Sequence, residues 1–302
     1  MRVALLLLAA LSLAACATVQ RQGGSLLAIT VDDLPVHGPL PPGETAQQVS
    51  DELLAGFREG GALSATGFVN AHWTKDQPST LKILQDWRAS GLLLANHGWA
   101  HRNLDSSSLA EAEEEIVGNE ALLQELGART DWKWFRYPFL REGGQNRQAI
   151  RKLLAERGYR IAAVTMDFSD WQWTAPYARC REKGDEQAIL RLEDLYLRAA
   201  GESIAYSRDL SRAVHGREIP YVLLIHAGAF TARMTPRLLD LYRGSGFRFV
   251  SLAEAEKDPA YAAELSADGQ SPPATLEGWA AARDVPLPSR PSYGAILETI
   301  CR

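Results

Sequence analysis

Two aspartates in succession, Asp32 and Asp33, close an apolar run that reads Leu26-Leu27-Ala28-Ile29-Thr30-Val31. The run is short and β-branched toward its end, which predicts a buried strand. Carboxylates at the exit of a buried strand are unfavourable unless a metal or an arginine holds them. The chain offers partners of both kinds, in His97-Gly98-Trp99-Ala100-His101 and in Arg136-Tyr137-Pro138. His-x-x-x-His sets two imidazoles one turn apart if the segment is helical, or places them on one tight loop. Two histidines and one aspartate are a common ligand set for a catalytic divalent metal with an open position. Zinc suits that set, as would cobalt, nickel or manganese. Together these residue types point to a metal-dependent hydrolase.

Such residues need a frame that gathers distant segments at one place. Strand-like stretches fall at 26–31, 65–69, 92–95, 132–135, 159–164, 221–225 and 247–250. Helical patterns fall between them at 46–59, 79–89, 108–126, 147–156, 185–200 and 236–243. Ser108-Leu109-Ala110-Glu111 is a capping-box start for the third of these helices. Repeated strand–helix alternation predicts an α/β fold with parallel strands under covering helices. The number of repeats suits a (β/α) barrel of about seven strands, with an open doubly wound sheet as the alternative. No G-x-G-x-x-G follows a strand, which weighs against dinucleotide binding. In such barrels functional residues collect at the C-terminal ends of strands. Asp32, Asp33, His97, His101, Arg136, Asp167, Asp170 and His226 all follow predicted strands.

The chain divides into four stretches. Residues 1–15 read as a signal peptide, with a positive start and an apolar run shorter than the roughly 20 residues that span a bilayer. Leu13-Ala14-Ala15-Cys16 resembles a bacterial lipoprotein cleavage box, with ordinary secretion as the alternative. Residues 16–25 would then be a lipidated cysteine and tether, and the acyl chains on Cys16 would anchor the protein. The expected location is the periplasmic face of a membrane, with Ala17 favouring the outer one. Residues 26–257 form the predicted catalytic barrel, and 258–302, broken by prolines, an irregular tail packed on it. Cys180 and Cys301 remain as an even pair, and an oxidising compartment permits a disulfide between them, two free buried thiols being the other reading. The net charge of −5 is mildly acidic and no basic stripe is evident, so nucleic acid is not an expected partner.

Five blocks in order carry a resemblance to one family. They are Thr30-Val31-Asp32-Asp33, His97-Gly98-Trp99-Ala100-His101, Arg136-Tyr137-Pro138-Phe139, Asp167-Phe168-Ser169-Asp170-Trp171 and Leu224-Ile225-His226. In this order they resemble the motifs of polysaccharide deacetylases, which include chitin and peptidoglycan N-acetylglucosamine deacetylases. The resemblance runs from about Leu27 to Ala255 and implies a distorted (β/α) barrel. It also implies metal-assisted removal of acetyl groups from an envelope or extracellular polysaccharide, most directly the N-acetyl of amino sugars. By the same resemblance Asp33, His97 and His101 would bind the metal. Asp32 would be the general base, held by Arg136, and His226 the general acid, oriented by Asp170. The backbone N–H of Phe139 would help to bind the oxyanion, and Trp171 and Leu224 would line the methyl pocket.

Three positions depart from the family pattern. Gly98 stands where Ser or Thr is usual, Phe139-Leu140 where Tyr-Gly is usual, and Ala227 where Asp usually follows the histidine. No proposed catalytic side chain is lost, so the departures bear on substrate more than on chemistry. The alternative functions are a non-catalytic glycan-binding lipoprotein, or a hydrolase of an O-acetyl or non-sugar amide bond. Asp167 reads as a loop-positioning residue. His37 and His72 both follow strand ends and could line the cleft, polar loop histidines being the preferred reading, and His215 reads as solvated. Trp73, Trp99, Trp132, Trp134, Trp171 and Trp173 fall near the expected rim, where some could stack on sugar rings and others pack the core.

Overall fold

A computed structural model describes residues 24–127, 131–265 and 271–302. Cys16 and the predicted signal peptide lie outside these residues. In chain order, β1 (Ser25–Leu34) leads to α1 (Ala46–Glu59), whose first turn is closed by a Thr45–Gln48 capping box. Then come β2 (Thr66–Val69), α2 (His72–Asp76), α3 (Leu81–Ala89) and β3 (Leu93–Asn96). Next are α4 (Leu109–Gly118), α5 (Glu120–Leu126), β4 (Trp134–Phe135), α6 (Arg147–Glu156) and β5 (Arg160–Ile161). The second half holds α7 (Thr174–Lys183), α8 (Glu186–His215), β6 (Tyr221–His226), α9 (Ala229–Gly244) and β7 (Phe247–Val250). Among the described residues four short helices finish the chain: α10 (Leu252–Ala255), α11 (Pro259–Glu264), α12 (Leu276–Ala281) and α13 (Gly294–Thr299).

Among the described residues, seven strands form one parallel sheet in the order β5-β4-β3-β2-β1-β6, with β7 also paired to β1. β1 is the hub. It pairs with β7 through Ser25–Ala28, with β6 through Leu27–Asp32 and with β2 from Thr30 on. Leu27, Ala28, Ile29 and Val31 are all buried, as expected of a strand covered on both faces. The sheet closes across the stretch after β5: Ala162 N donates to Phe135 O, and Thr165 and Met166 donate to Val222 O of β6. Leu224 N donates back to Met166 O at 3.0 Å. The result is a distorted (β/α) barrel.

The predicted strand at 159–164 is therefore only partly a strand. Its second half turns from β4 toward β6 and serves as the closure, which periodicity does not reveal. The predicted helix at 108–126 is split at Asn119, whose buried side chain is spent on tertiary bonds. Its Nδ2 donates to Val69 O, Asn96 Oδ1 and Gly98 O, and its Oδ1 accepts from Ala71 N. α8 runs well past the predicted end, to Gly216 in a left-handed cap with φ of 70°. α9 begins before the predicted start and carries Pro236 inside it. α7 lies outside the predicted helical patterns.

The tail is not irregular, because α11, α12 and α13 lie within it. Trp279 of α12 is fully buried and meets the rings of Tyr261 and His215. His215 is thus half-buried rather than solvated, and burial lowers its pKa. α13 is tied to α7 by the Cys180–Cys301 disulfide, with Cα atoms 5.2 Å apart. Arg179 adds hydrogen bonds to Leu297 O and Ile300 O. No helix among the described residues is long and apolar enough to cross a membrane.

The disulfide closes a loop of 121 residues in sequence, so it restricts the unfolded chain strongly. Thiol titration of the unfolded, unreduced protein is expected to find neither Cys180 nor Cys301 free. The double variant Cys180→Ala/Cys301→Ala should lose about 2–4 kcal/mol of stability in urea unfolding.

Candidate active site

Successive side chains on a strand point to opposite faces, so Asp32 and Asp33 could not both face the barrel mouth from a regular strand. The register of β1 against β2 shifts between Val31 and Leu34, and Asp33 has φ of 65°. This local bulge turns both carboxylates into one cavity. His101 (56°), Phe139 (56°), Leu140 (55°) and Ser169 (58°) share the same left-handed strain around the mouth.

Asp32 is buried and held by Arg136. Nη1 of the arginine lies 3.3 Å from each oxygen of Asp32. The guanidinium is itself fixed by bonds from Nε to Ala162 O and from Nη2 to Ala163 O and Thr30 Oγ1. Phe68 covers its face at 4.8 Å. A buried guanidinium with its donors used in this way cannot swing away from Asp32.

Asp33, His97 and His101 offer three ligand atoms that all lie within 4.8 Å of one another. The histidines sit on a loop after β3, not on a helix. His97 Nδ1 is 2.9 Å from Arg136 O, a carbonyl that can only accept, so this nitrogen carries a proton and Nε2 is the one that faces Asp33. Asp33 Oδ1 is 3.3 Å from Nε2 of both histidines, yet it is buried without a hydrogen-bond partner. An orphaned carboxylate oxygen facing two imidazole nitrogens fits a divalent cation.

The electrostatics agree with that fit. Burial would raise the pKa of Asp33, but the His37 hydrogen bond and the nearby His97 and His226 hold it well below the carboxylate range. Burial, then the charge of His97, lowers His101 to about 4, which leaves a neutral imidazole at physiological pH. Burial also opposes charge on His97, but Asp32 and Asp33 outweigh it and raise the value. The attraction that draws a proton to His97 would draw a divalent cation as well.

The opposite wall carries His226 and Asp170. Asp170 Oδ1 accepts from His226 Nδ1 at 2.8 Å, and Oδ2 accepts from His226 N and Thr231 Oγ1. Burial disfavours the imidazolium, but the charge and hydrogen bond of Asp170, then Asp33 and Asp32, push His226 up to about 10. A protonated imidazole at neutral pH, with Nδ1 committed to Asp170, has Nε2 left to donate.

Asp32, Asp33, His97, His101 and His226 line one cavity of about 470 Å³, with Phe139, Trp171 and Leu224 on its apolar side, and Arg136 and Asp170 stand buried behind them. Phe139 is 59% exposed and packs its ring 4.3 Å from that of His101. Asp167 also lines the cavity, where Oδ1 accepts from Ser169 N at 2.6 Å and its carbonyl accepts from Arg290 of the tail. Among the six tryptophans expected near the rim, only Trp171 lines the cavity. Trp132, Trp134 and Trp173 are core residues. His72 pairs with Asp76 at 3.0 Å and stays outside. For His37 the cleft-lining alternative holds, not the preferred reading as a polar loop histidine. It lines the cavity and binds Asp33 Oδ2 at 2.6 Å. Its spacing of four residues after Asp33, on the loop leaving β1, was the available signal.

The polysaccharide deacetylase family matches this chain over residues 20–180, more than half its length. The chain belongs to that family. It is similar to peptidoglycan-N-acetylmuramic acid deacetylase PdaA of Bacillus subtilis (strain 168), at 24% identity over 110 residues. That match covers 36% of this chain and 39% of the relative, so less than half of either is compared. Among solved structures, a mutant of a CE4 family pseudoenzyme from Bacillus anthracis, with restored enzymatic activity, superposes with a TM-score of 0.54. Its identity is 16%, over 77% of this chain and 68% of that one. The chitin deacetylase of the fungal pathogen Colletotrichum lindemuthianum gives a TM-score of 0.53 at 21% identity, over 78% and 88% of the two chains. At these identities the likeness establishes a shared fold.

Gly98, where this family usually has Ser or Thr, has a local explanation. Its φ is 81°, and a Cβ added there would lie 2.8 Å from Glu115 Oε2. The buried Glu115 of α4 accepts from Ala100 N at 3.0 Å and from Arg102 N at 3.3 Å. A carboxylate from a helix thus occupies the space beside Gly98 and braces the His97–His101 loop. Gly98→Ser should therefore destabilise rather than restore, by about 1–3 kcal/mol in urea unfolding. An unchanged midpoint would show that Glu115 yields freely.

Proposed function

We propose that this protein is a hydrolase that removes acetyl groups from amino sugars of an envelope or extracellular polysaccharide, with a divalent metal, zinc by preference, at Asp33, His97 and His101. The observation that carries the reading is the orphaned Asp33 Oδ1 between two imidazoles, with the Asp32–Arg136 pair beside it and the His226–Asp170 pair across the cavity. Its deacetylase relatives, one named for peptidoglycan and one for chitin, support an N-acetylated sugar as substrate.

A metal held there supplies Lewis acidity, which makes water a better nucleophile and polarises the acetyl carbonyl. Asp32, aimed by Arg136, accepts the proton of the attacking water. The backbone N–H of Phe139 donates to the oxygen that becomes negative. His226 Nε2 gives its proton to the leaving nitrogen as the carbon–nitrogen bond breaks, so water and amide become acetate and amine. Asp170 keeps the acid charged and oriented. Trp171 and Leu224 exclude water from the side that receives the methyl group.

The amino-terminal stretch adds a location to this reading. We take residues 1–15 as an export signal and Cys16 as the lipidated residue, with residues 26–257 as the catalytic unit facing the periplasm and 258–302 as a tail bound to it.

Acetate release from N- and O-acetylated oligosaccharides is expected to need the metal and to favour N-acetyl groups. Asp32→Asn should lower turnover by about 10²–10⁴-fold while the protein still binds one equivalent of zinc. Full turnover in that variant would remove Asp32 as the base, and zinc binding with no release from any substrate would indicate a glycan-binding protein.

The acid works only while protonated. With His226 pushed up to about 10, turnover should hold through neutral pH and fall on the alkaline side. Asp170→Asn removes the charge that raises this value, so the alkaline limb should move to lower pH. A limb that stays in place would assign it to another group.

A further inference from the structure

His37 belongs to none of the five sequence blocks, yet it makes the closest side-chain contact to the metal-binding carboxylate. We propose that His37 is a positioning residue that holds Asp33 through Oδ2, so that Oδ1 alone faces the metal site. The proposal rests on the reading of Asp33, His97 and His101 as metal ligands.

The two oxygens of Asp33 are in different surroundings. Oδ2 is 2.6 Å from His37 Nδ1, and Oδ1 is 3.3 Å from both ligand histidines with no hydrogen bond of its own. A carboxylate can only accept, so Nδ1 of His37 carries the proton. That nitrogen is then committed, and the cluster of converging ligand atoms comprises Asp33, His97 and His101 without His37. An oxygen occupied by a strong hydrogen bond is a poor second ligand, so the carboxylate would bind through one oxygen and leave coordination positions open for water and substrate.

The loop that carries His37 is rigid enough for the task. Its backbone N–H donates to Ala227 O at 2.8 Å, and Ala227 N donates to Asp32 O at 3.0 Å. Gly38 follows with φ of 68°, and a Cβ there would lie 2.7 Å from Thr174 Cγ2, so the turn packs directly on α7. The His37 ring sits 4.9 Å from that of His226, between the two walls of the cavity. Asp33 itself is strained at φ of 65°, and such a residue keeps its orientation only when its surroundings fix it.

The test compares the mature chain with His37→Ala and His37→Asn, whose amide can replace the Nδ1 donor. Zinc affinity is read by competition with a chromophoric chelator, and coordination by the visible spectrum of the cobalt-loaded protein. His37→Ala should bind zinc about 10–100-fold more weakly. Its cobalt bands should weaken as the freed Oδ2 raises the coordination number. His37→Asn should recover most of the affinity and the parent spectrum, and the metal-free melting temperatures should match. Parent-like affinity and spectrum in His37→Ala would overturn the proposal, as would a folded His37→Asn that binds as weakly as His37→Ala. If His37→Ala does not fold, His37→Phe keeps a ring, lacks the donor and takes its place in the comparison. A parent chain that binds no metal would overturn the metal site and this proposal together. A parent that binds metal but releases no acetate would count against the function alone.

Discussion

Two ionised carboxylates on adjacent residues repel each other and lose hydration at the mouth of a barrel. The site is arranged around that penalty. Asp32 is offset by a fully buried arginine whose other donors are fixed by backbone carbonyls and Thr30. Asp33 is offset by imidazoles, one on Oδ2 and two facing Oδ1. Removing a partner from such a buried arrangement typically costs about 3–5 kcal/mol, because the charge left behind has no water to solvate it. The bulge at the end of β1, the inward reach of Arg136 from the end of β4 and the loop after β3 all follow from the need to bring these compensating groups to one point.

Much of this was legible because the chemistry is local to strand ends. Each of the five blocks ends or follows a strand, and a parallel barrel brings those ends to one rim. The segments α1, α6 and β7 fall where their periodicity places them, since each packs one face or both faces in a regular way. What escaped was set by contacts between distant residues. The break at Asn119 exists because its amide serves β2 and the loop after β3, and helical periodicity carries no trace of that. The closure by residues 162–166 depends on β6, some sixty residues later in the sequence. His37 escaped for a similar reason. A histidine in a polar loop is usually solvated, and only the fold of the turn shows which carboxylate it meets. The histidine pair was open between helix and loop from spacing alone, and the positive φ of Gly98 and His101 decides for the loop.

The cavity separates the Asp32–Arg136 pair and the His226–Asp170 pair by wall. The first wall belongs to the first half of the chain, with β1, β3 and β4, and the second to β6 and the 3₁₀ turn at Asp170–Trp173. The tail reinforces both: on the first wall Ala274 N donates to Glu142 Oε1, three residues past Phe139, and Arg151 donates to Pro272 O. It holds the second wall at three points. Arg290 donates to the carbonyl of Asp167, Tyr293 packs on Trp173 at 5.7 Å, and the disulfide fixes α13 to α7. The C-terminal residues thus act as an outer brace for the loop that carries Asp170 and Trp171.

The departures from the family pattern take their meaning from this enclosure. At Gly98 the missing side chain makes room for Glu115, which bonds the same loop from α4. At Ala227 the backbone, not a side chain, makes the connections, accepting from His37 N and donating to Asp32 O. In both places a small residue coincides with a polar group brought in from another segment. The geometry of the site is therefore preserved by exchange of supports, and a change at either small residue must be judged with the group that stands against it. For the same reason a motif count alone understates this site: Glu115 and His37 lie outside the motifs, and each touches a residue within them or the loop that joins two of them.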